Sequence, residues 1–213
     1  MSITYDKIVL GIDPGTLVMG YGVVGKKGAS LQVLDLGVLR ISSKHDHTLR
    51  LKMIFERVLS LIEEHHPDEL AIESPFFGKN VQSMLKLGRA QGVSMAAGLV
   101  REVPIFEYSP KRIKQSVTGN GNATKQQVAA MLHKLFPGKA SSDYLDATDA
   151  LAAAVCHHIE TKSAQLLNKA IAGIQQPKKA GRKKTTASGG KRKAEKEGWA
   201  GFIQSHPDRL HIK

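Results

Sequence analysis

Four acidic side chains in three separated places are the residues of this chain best suited to chemistry. Asp13 ends the apolar run Lys7-Ile-Val-Leu-Gly-Ile-Asp13, and Glu73 ends Glu69-Leu-Ala-Ile-Glu73. Asp146 and Asp149 stand three apart in Asp146-Ala-Thr-Asp149-Ala-Leu-Ala. Carboxylate oxygens with open positions suit Mg2+, with Mn2+ able to substitute. Two carboxylates about 4 Å apart repel by roughly 4 kcal/mol at an effective dielectric of about 20. A cluster of them is therefore costly without cations, and its pKa values should rise when none is bound. Two metals about 3.5–4 Å apart would activate water and stabilise the leaving oxygen of a phosphodiester. If the three places meet in space, the expected chemistry is metal-dependent hydrolysis of such a bond.

Each acid also has a plainer reading. Asp13-Pro-Gly15 is good turn chemistry, and Glu73 before Ser74-Pro75 fits a solvated strand end. Asp146 and Asp149 fit a helix start favoured by the helix dipole. The same i,i+3 spacing puts both carboxylates on one helix face, as a shared metal site requires. Gly11-Ile-Asp13-Pro-Gly15-Thr16, followed by Gly20-Tyr-Gly22, also resembles the first phosphate loop of actin-like ATPases. Those folds need a second phosphate loop and an adenosine-binding Gly-rich segment, and the sequence offers neither. His157 lies eight residues past Asp149, too far along a helix to share a metal with it, and reads as a packed or surface histidine. Cys156 reads as a small buried residue.

The elements that must position these acids follow from the apolar pattern. Residues 7–13, 20–25 and 31–41 read as three antiparallel strands, with Lys26-Lys27-Gly28 as a hairpin turn. Leu49, Met53, Ile54, Val58, Leu61 and Ile62 recur at helical spacing over 48–65. A strand at 69–73 precedes a long helix at 79–102 that is rich in small residues, and a fifth strand covers 103–107. Helices at 110–116 and 124–136 flank the loop Gly119-Asn-Gly-Asn122, and a final helix runs from Asp146 to about Lys169. The order predicts an α/β fold, a five-stranded mixed sheet flanked by helices.

Charge points to a polyanionic partner. The 213 residues carry a formal net charge of +12. Residues 177–213 hold 11 Lys/Arg and 3 Asp/Glu, and the remainder holds 20 basic and 16 acidic residues, four of which are the candidate cluster. A basic body with a basic tail favours nucleic acid. Residues 171–213 turn to Lys, Arg, Gly, Ser and Thr and are expected to be disordered. Trp199 and Phe202 leave open a small docking element there. A single cysteine, no apolar run of membrane length and no signal-peptide pattern at the start predict a soluble cytoplasmic protein.

Seven segments, in order, resemble one family. They are Gly11-Ile-Asp13-Pro-Gly15, Gly20-Tyr-Gly22, Ala71-Ile-Glu73, Ala90-Gln-Gly92, Phe106-Glu-Tyr108, Val117-Thr-Gly-Asn-Gly121 and Asp146-Ala-Thr-Asp149-Ala-Leu-Ala. Together they are similar to the RuvC family of bacterial Holliday-junction resolvases. The resemblance implies a ribonuclease H-like nuclease domain over 1–170 and a homodimer meeting on the long helix. It further implies Mg2+-dependent nicking of two opposed strands at a four-way DNA junction, with two metals per site, and work alongside the RuvA/RuvB branch-migration complex. The family's catalytic and metal-binding acids carry over to Asp13, Glu73, Asp146 and Asp149; some relatives have His at the position of Asp146. Lys114 and Lys125 match positions near the scissile phosphate, Lys125 among the catalytic residues. Phe76 and Phe77 match the place of an aromatic at the junction centre, where base stacking is worth about 1–3 kcal/mol.

Lys79, Lys111 and Arg112 are further candidates for phosphate contact, with a solvated face as the alternative for the last two. A junction-binding protein without catalysis is the other reading of the same fold, disfavoured because all four acids are present.

Overall fold

The computed structural model describes residues 4–75, 80–139 and 145–174, with side chains described to residue 163. Five strands form one mixed sheet: β1 (Lys7–Asp13), β2 (Val18–Lys27), β3 (Ser30–Arg40), β4 (Glu69–Glu73) and β5 (Ile105–Tyr108), in spatial order β3-β2-β1-β4-β5. The first three pair antiparallel, whereas β1 with β4 and β4 with β5 pair parallel. The crossovers are α1 (His47–His65) and α2 (Val81–Val100). After β5 come α3 (Pro110–Thr118), α4 (Lys125–Leu135) and α5 (Leu145–Ile174). This is the architecture expected from the pattern. Strand β5 starts two residues later than the apolar run, because Val103 is taken into the core before the strand begins.

Alternation along the strands builds a core on each face of the sheet. Leu10, Ile12, Met19, Tyr21, Val23, Leu70 and Ile72 point to one side and meet Ile54, Val58, Leu61 and Ile62 of α1 and Ala90 and Ala97 of α2. Val9, Val24 and Ala71 point to the other and meet Ile113, Val117, Val128, Leu132 and the apolar run Leu151–Cys156 of α5. Helix ends are set locally. Asp46 Oδ1 accepts from the Leu49 N–H at 2.8 Å to start α1, and Thr124 forms a capping box with Gln127 to start α4.

Three glycines seat α5 on the sheet without an intervening layer of side chains. A Cβ at Gly20 would lie 1.9 Å from the Asp146 carbonyl oxygen, and one at Gly11 would lie 2.1 Å from that of Ala150. One at Gly22 would sit 2.9 Å from the Leu151 Cα. Gly11 and Gly22 are partners across β1 and β2. The seam runs from the Asp13 end of the sheet toward its middle and fixes where α5 begins.

Gly20→Ala is therefore expected to destabilise the protein by about 3 kcal/mol or more, the upper range for overpacking, and to weaken Mn2+ binding as α5 lifts. Denaturant unfolding and Mn2+ titration followed by electron paramagnetic resonance read the two effects. Normal stability and normal Mn2+ affinity in this variant would contradict the seam.

Candidate active site

Fold geometry brings the acids to one end of the sheet. Asp13 and Glu73 are the last residues of the neighbouring parallel strands β1 and β4, which pair through Ile12 and Ile72. Asp146 and Asp149 occupy the opening turns of α5, held over Gly20 and Gly11 by the seam. Oxygens of Asp13, Asp146 and Asp149 all lie within 4.8 Å of one another. Glu73 stands beside this trio rather than within it, close enough to act on Asp13 by its charge. Asp146 lies inside the first turn of its helix, where a carboxylate meets the favourable pole of the dipole.

Crowding of like charges marks the site electrically. Burial, then the charges of Glu73 and Asp149, push Asp13 from its ordinary 3.8 up to about 8. Burial and Asp149 push Glu73 from 4.5 to about 7. Burial raises Asp149 too, against the opposing pull of Lys125. Lys125 is the first residue of α4, and its Nζ donates to Asp149 Oδ2. Burial works to lower the Lys125 pKa, but Asp149, Asp13 and Asp146 carry it upward. A set of partly buried carboxylates that resist ionisation together, with oxygens within one ion's reach, fits a hard divalent cation.

The basic candidates divide. Lys114 and Lys125 line a cavity of about 90 Å3 with Glu73, Asp149 and Pro110. Lys111 and Arg112 line a different hollow with Ser109 and Gln115, with none of the four acids in its wall. Arg112 is engaged there by Glu160 of α5 at 2.5 Å, and the Lys111 stem lies under Gly121. Phe76, Phe77 and Lys79 lie outside the described residues, as does everything from residue 175 onward in the basic tail.

A second cavity, of about 110 Å3, is lined by Asp13, Pro14, Glu73, Ser74, Pro75, Leu87 and Pro110. Glu73 and Pro110 belong to both cavities. The three prolines were missed as site residues, although the sequence carries a signal for them. Each strand that ends here, β1, β4 and β5, is followed within two residues by a proline. Proline cannot extend the ladder, so β1 and β4 stop where Asp13 and Glu73 line the hollow, and β5 stops at Tyr108 shortly before Pro110.

His157 proves to be fully buried. Its Nε2 contacts Glu69 Oε2, which also takes the Lys7 Nζ, and its Nδ1 lies 2.7 Å from the Tyr108 hydroxyl. Burial lowers the His157 pKa. The ring is then neutral, donating from Nε2 to Glu69 and accepting the Tyr108 O–H at Nδ1. The Tyr108 carbonyl in turn accepts the Ser74 N–H at 2.9 Å. This network ties α5, β4 and β5 together behind the acids and holds the residue that follows Glu73.

Sheet order and the placing of the acids define a ribonuclease H-like protein. Residues 9–157 match the family described as crossover junction endodeoxyribonuclease RuvC. The chain is 50% identical over 207 residues to RuvC of Cytophaga hutchinsonii, covering 97% of this chain and 90% of that one. It is 60% identical over 153 residues to RuvC of Christiangramia forsetii, covering 71% of this chain and 79% of the relative. Among solved structures, Thermus thermophilus RuvC in complex with Holliday junction substrate superposes with a TM-score of 0.70 at 32% identity, over 74% of this chain and 96% of that one. The chain belongs to the RuvC family of crossover junction endodeoxyribonucleases. Gly11 and the glycine pair of β2, which the sequence also offered as a phosphate loop, are taken up by the contact with α5.

Raised carboxylate pKa values give a signed prediction. An acid whose pKa is higher folded than unfolded contributes stability at low pH that is lost as pH rises toward the folded value. For Asp13 that window runs from about 4 to about 8. His157 and His158, lowered by burial, have the opposite sign and withdraw stability as pH falls below the ordinary histidine value. Comparison with Asp13→Asn cancels them. In chelator, Asp13→Asn is expected to be more stable than the parent by about 1–3 kcal/mol at pH 8, discounted for the part-open site, with the gap closing toward pH 4. Calorimetry at several pH values measures it, and a gap that ignores pH would contradict the crowding.

Proposed function

We propose that this protein resolves four-way DNA junctions by nicking two opposed strands in a reaction that depends on Mg2+. The observation that carries this reading is the convergence of Asp13, Asp146 and Asp149, with Glu73 at their side and Lys114 and Lys125 next to them. The carboxylates would hold Mg2+, or Mn2+ in its place, in one or two positions. Bound there, the ion supplies charge neutralisation at the phosphate and a lowered pKa for attacking water. Lys125 and Lys114, which share a cavity with Glu73 and Asp149, hold phosphate oxygens and orient the backbone for in-line attack. Phe76 and Phe77 follow the Glu73 strand and stack on bases opened at the junction centre, with Lys79 on the phosphates beside them. Lys111 and Arg112 serve as outer phosphate contacts. The solved Thermus thermophilus relative is bound to a Holliday junction, which supports this substrate.

Two symmetric cuts call for two sites, which supports a homodimer. Helix α2 offers a face for it. Val81, Leu85 and Leu99 are exposed there, and a Cβ at Gly88 or Gly92 would meet nothing within 4 Å. Positions 81, 85, 88, 92, 95 and 99 alternate steps of four and three, the spacing of a two-helix seam. Cooperation with the RuvA/RuvB branch-migration complex, in the cytoplasm, completes the proposal; no helix among the described residues is long and apolar enough to cross a membrane.

Incubation of the protein with a synthetic mobile four-way junction and Mg2+ should give paired, ligatable nicks. Asp13→Asn should bind the junction without cutting it. Binding without nicks by both proteins would favour a non-catalytic junction-binding role. Lys125→Ala should lower turnover by about 10²–10³, as for loss of a donor to developing negative charge, with little change in melting temperature. A large fall in melting temperature with turnover intact would contradict that role.

A further inference from the structure

Far from the acids, on the opposite face of the sheet, a second group of ligating side chains comes together. His65 is the last residue of α1, Glu64 precedes it, and Asp35 lies on the edge strand β3. His65 Nε2 is 3.2 Å from Asp35 Oδ2 and 3.8 Å from Glu64 Oε1. One donor atom from each residue lies within 4.8 Å of the other two. The His65 side chain is only 15% exposed, so its ring is held in place rather than waving in solvent.

The backbone is arranged for this meeting. Register between β2 and β3 shifts at Val23/Val24, so that Val23 faces Asp35 while Val24 faces Val33. The extra residue, Leu34, packs in the core on the α1 side, and Asp35 beside it reaches the end of α1. Bulges re-aim side chains in this way. Asp35 Oδ1 accepts the Leu36 N–H at 2.8 Å, which orients the carboxylate and leaves Oδ2 toward the imidazole. The C-terminal end of α1 adds the negative pole of its dipole, which favours a cation.

From this geometry we infer that Asp35, Glu64 and His65 form a binding site for a borderline transition-metal ion, Zn2+ foremost. The 3.2 Å separation matches the edge of about 3.3 Å in a tetrahedron whose bonds are about 2.0–2.1 Å long, and the 3.8 Å separation closes to it by rotation of the exposed Glu64 side chain. The nitrogen ligand distinguishes this site from the all-oxygen cluster, because imidazole suits Zn2+ whereas carboxylate alone suits Mg2+. Three protein ligands leave the fourth position to water. The ion would fasten the free edge of the sheet to α1. It acts on stability and lies outside the nuclease chemistry. Binding requires the Nε2 lone pair, so uptake by a protonated ring releases one proton.

The test uses the full chain, stripped by chelator and returned to saturating Mg2+ so that the oxygen cluster is occupied. Titration with Co2+ should produce the intense visible absorption of a tetrahedral nitrogen-oxygen site at one ion per chain, removable by Zn2+. His65→Ala and Asp35→Asn should each weaken Co2+ binding about 100-fold or more, beyond the loss usual for an outer-shell partner. Zn2+ should raise the melting temperature of the parent and leave that of either variant unmoved. Equal Co2+ absorption and affinity in the parent and His65→Ala would overturn the site. So would a His65 ring resonance that Zn2+ does not perturb, since the triad would then be no more than an ion pair between His65 and Asp35.

Discussion

Direct contact between the backbone of α5 and the backbone of the first two strands is the constraint on which the site depends. Gly11, Gly20 and Gly22 make it possible, because any side chain there would strike the Asp146, Ala150 or Leu151 main chain. Hydrophobic burial on the same face, through Val9, Val24 and the apolar run of α5, presses the helix down. Together these forces bring Asp146 and Asp149 against Asp13, whose pKa rises to about 8 through burial first and the repulsion of Glu73 and Asp149 after it. The fold thus stores an unfavourable electrostatic arrangement at one end and offsets it with apolar packing along the rest of the helix.

Behind the acids, a polar network does the positioning that packing alone cannot. Lys7, Glu69, His157 and Tyr108 are linked in a chain running from the start of β1 to the end of β5. Each buried polar atom in that chain finds a partner, so the cost of burying it is met. The Tyr108 carbonyl passes the constraint to Ser74, next to Glu73. On the other flank, the capping box at Thr124 and the Gln115 side chain fix the loop that delivers Lys125. Gln115 donates to the Gly119 carbonyl at 2.7 Å and accepts the Gly121 N–H at 2.9 Å.

The fold and the acids were legible because they are written in local patterns. An acid ending an apolar strand, or two acids three apart before an alanine-rich helix, stands out in a linear reading. What sequence reasoning missed depends on pairings between distant elements. The glycines of β1 and β2 looked as suitable for phosphate as for helix contact, since either use requires a missing Cβ. His157 gave no sign of its partners, because Glu69 and Tyr108 are 88 and 49 residues away. Lys111, Arg112 and Lys114 share one short helix, and only its packing against α5 separates the lysine near the acids from the arginine claimed by Glu160. The aromatic pair at 76 and 77 comes from resemblance to the family and Lys79 from its place beside them in the chain, and all three fall outside the described residues.

The collar of prolines also bears on which kind of ion suits the hollow beside Asp13. Pro14, Pro75 and Pro110 bring no backbone N–H to the hollow beside Asp13, and the N–H of Ser74 is already committed to the Tyr108 carbonyl. That hollow therefore presents lone pairs without the inward-pointing amides that cradle anions elsewhere. The ammonium groups of Lys114 and Lys125 line the neighbouring hollow instead, together with Glu73 and Asp149. Glu73 and Pro110 line both hollows, so a guest beside Asp13 meets carboxylates without a cationic side chain, whereas one in the neighbouring hollow meets carboxylate and ammonium together.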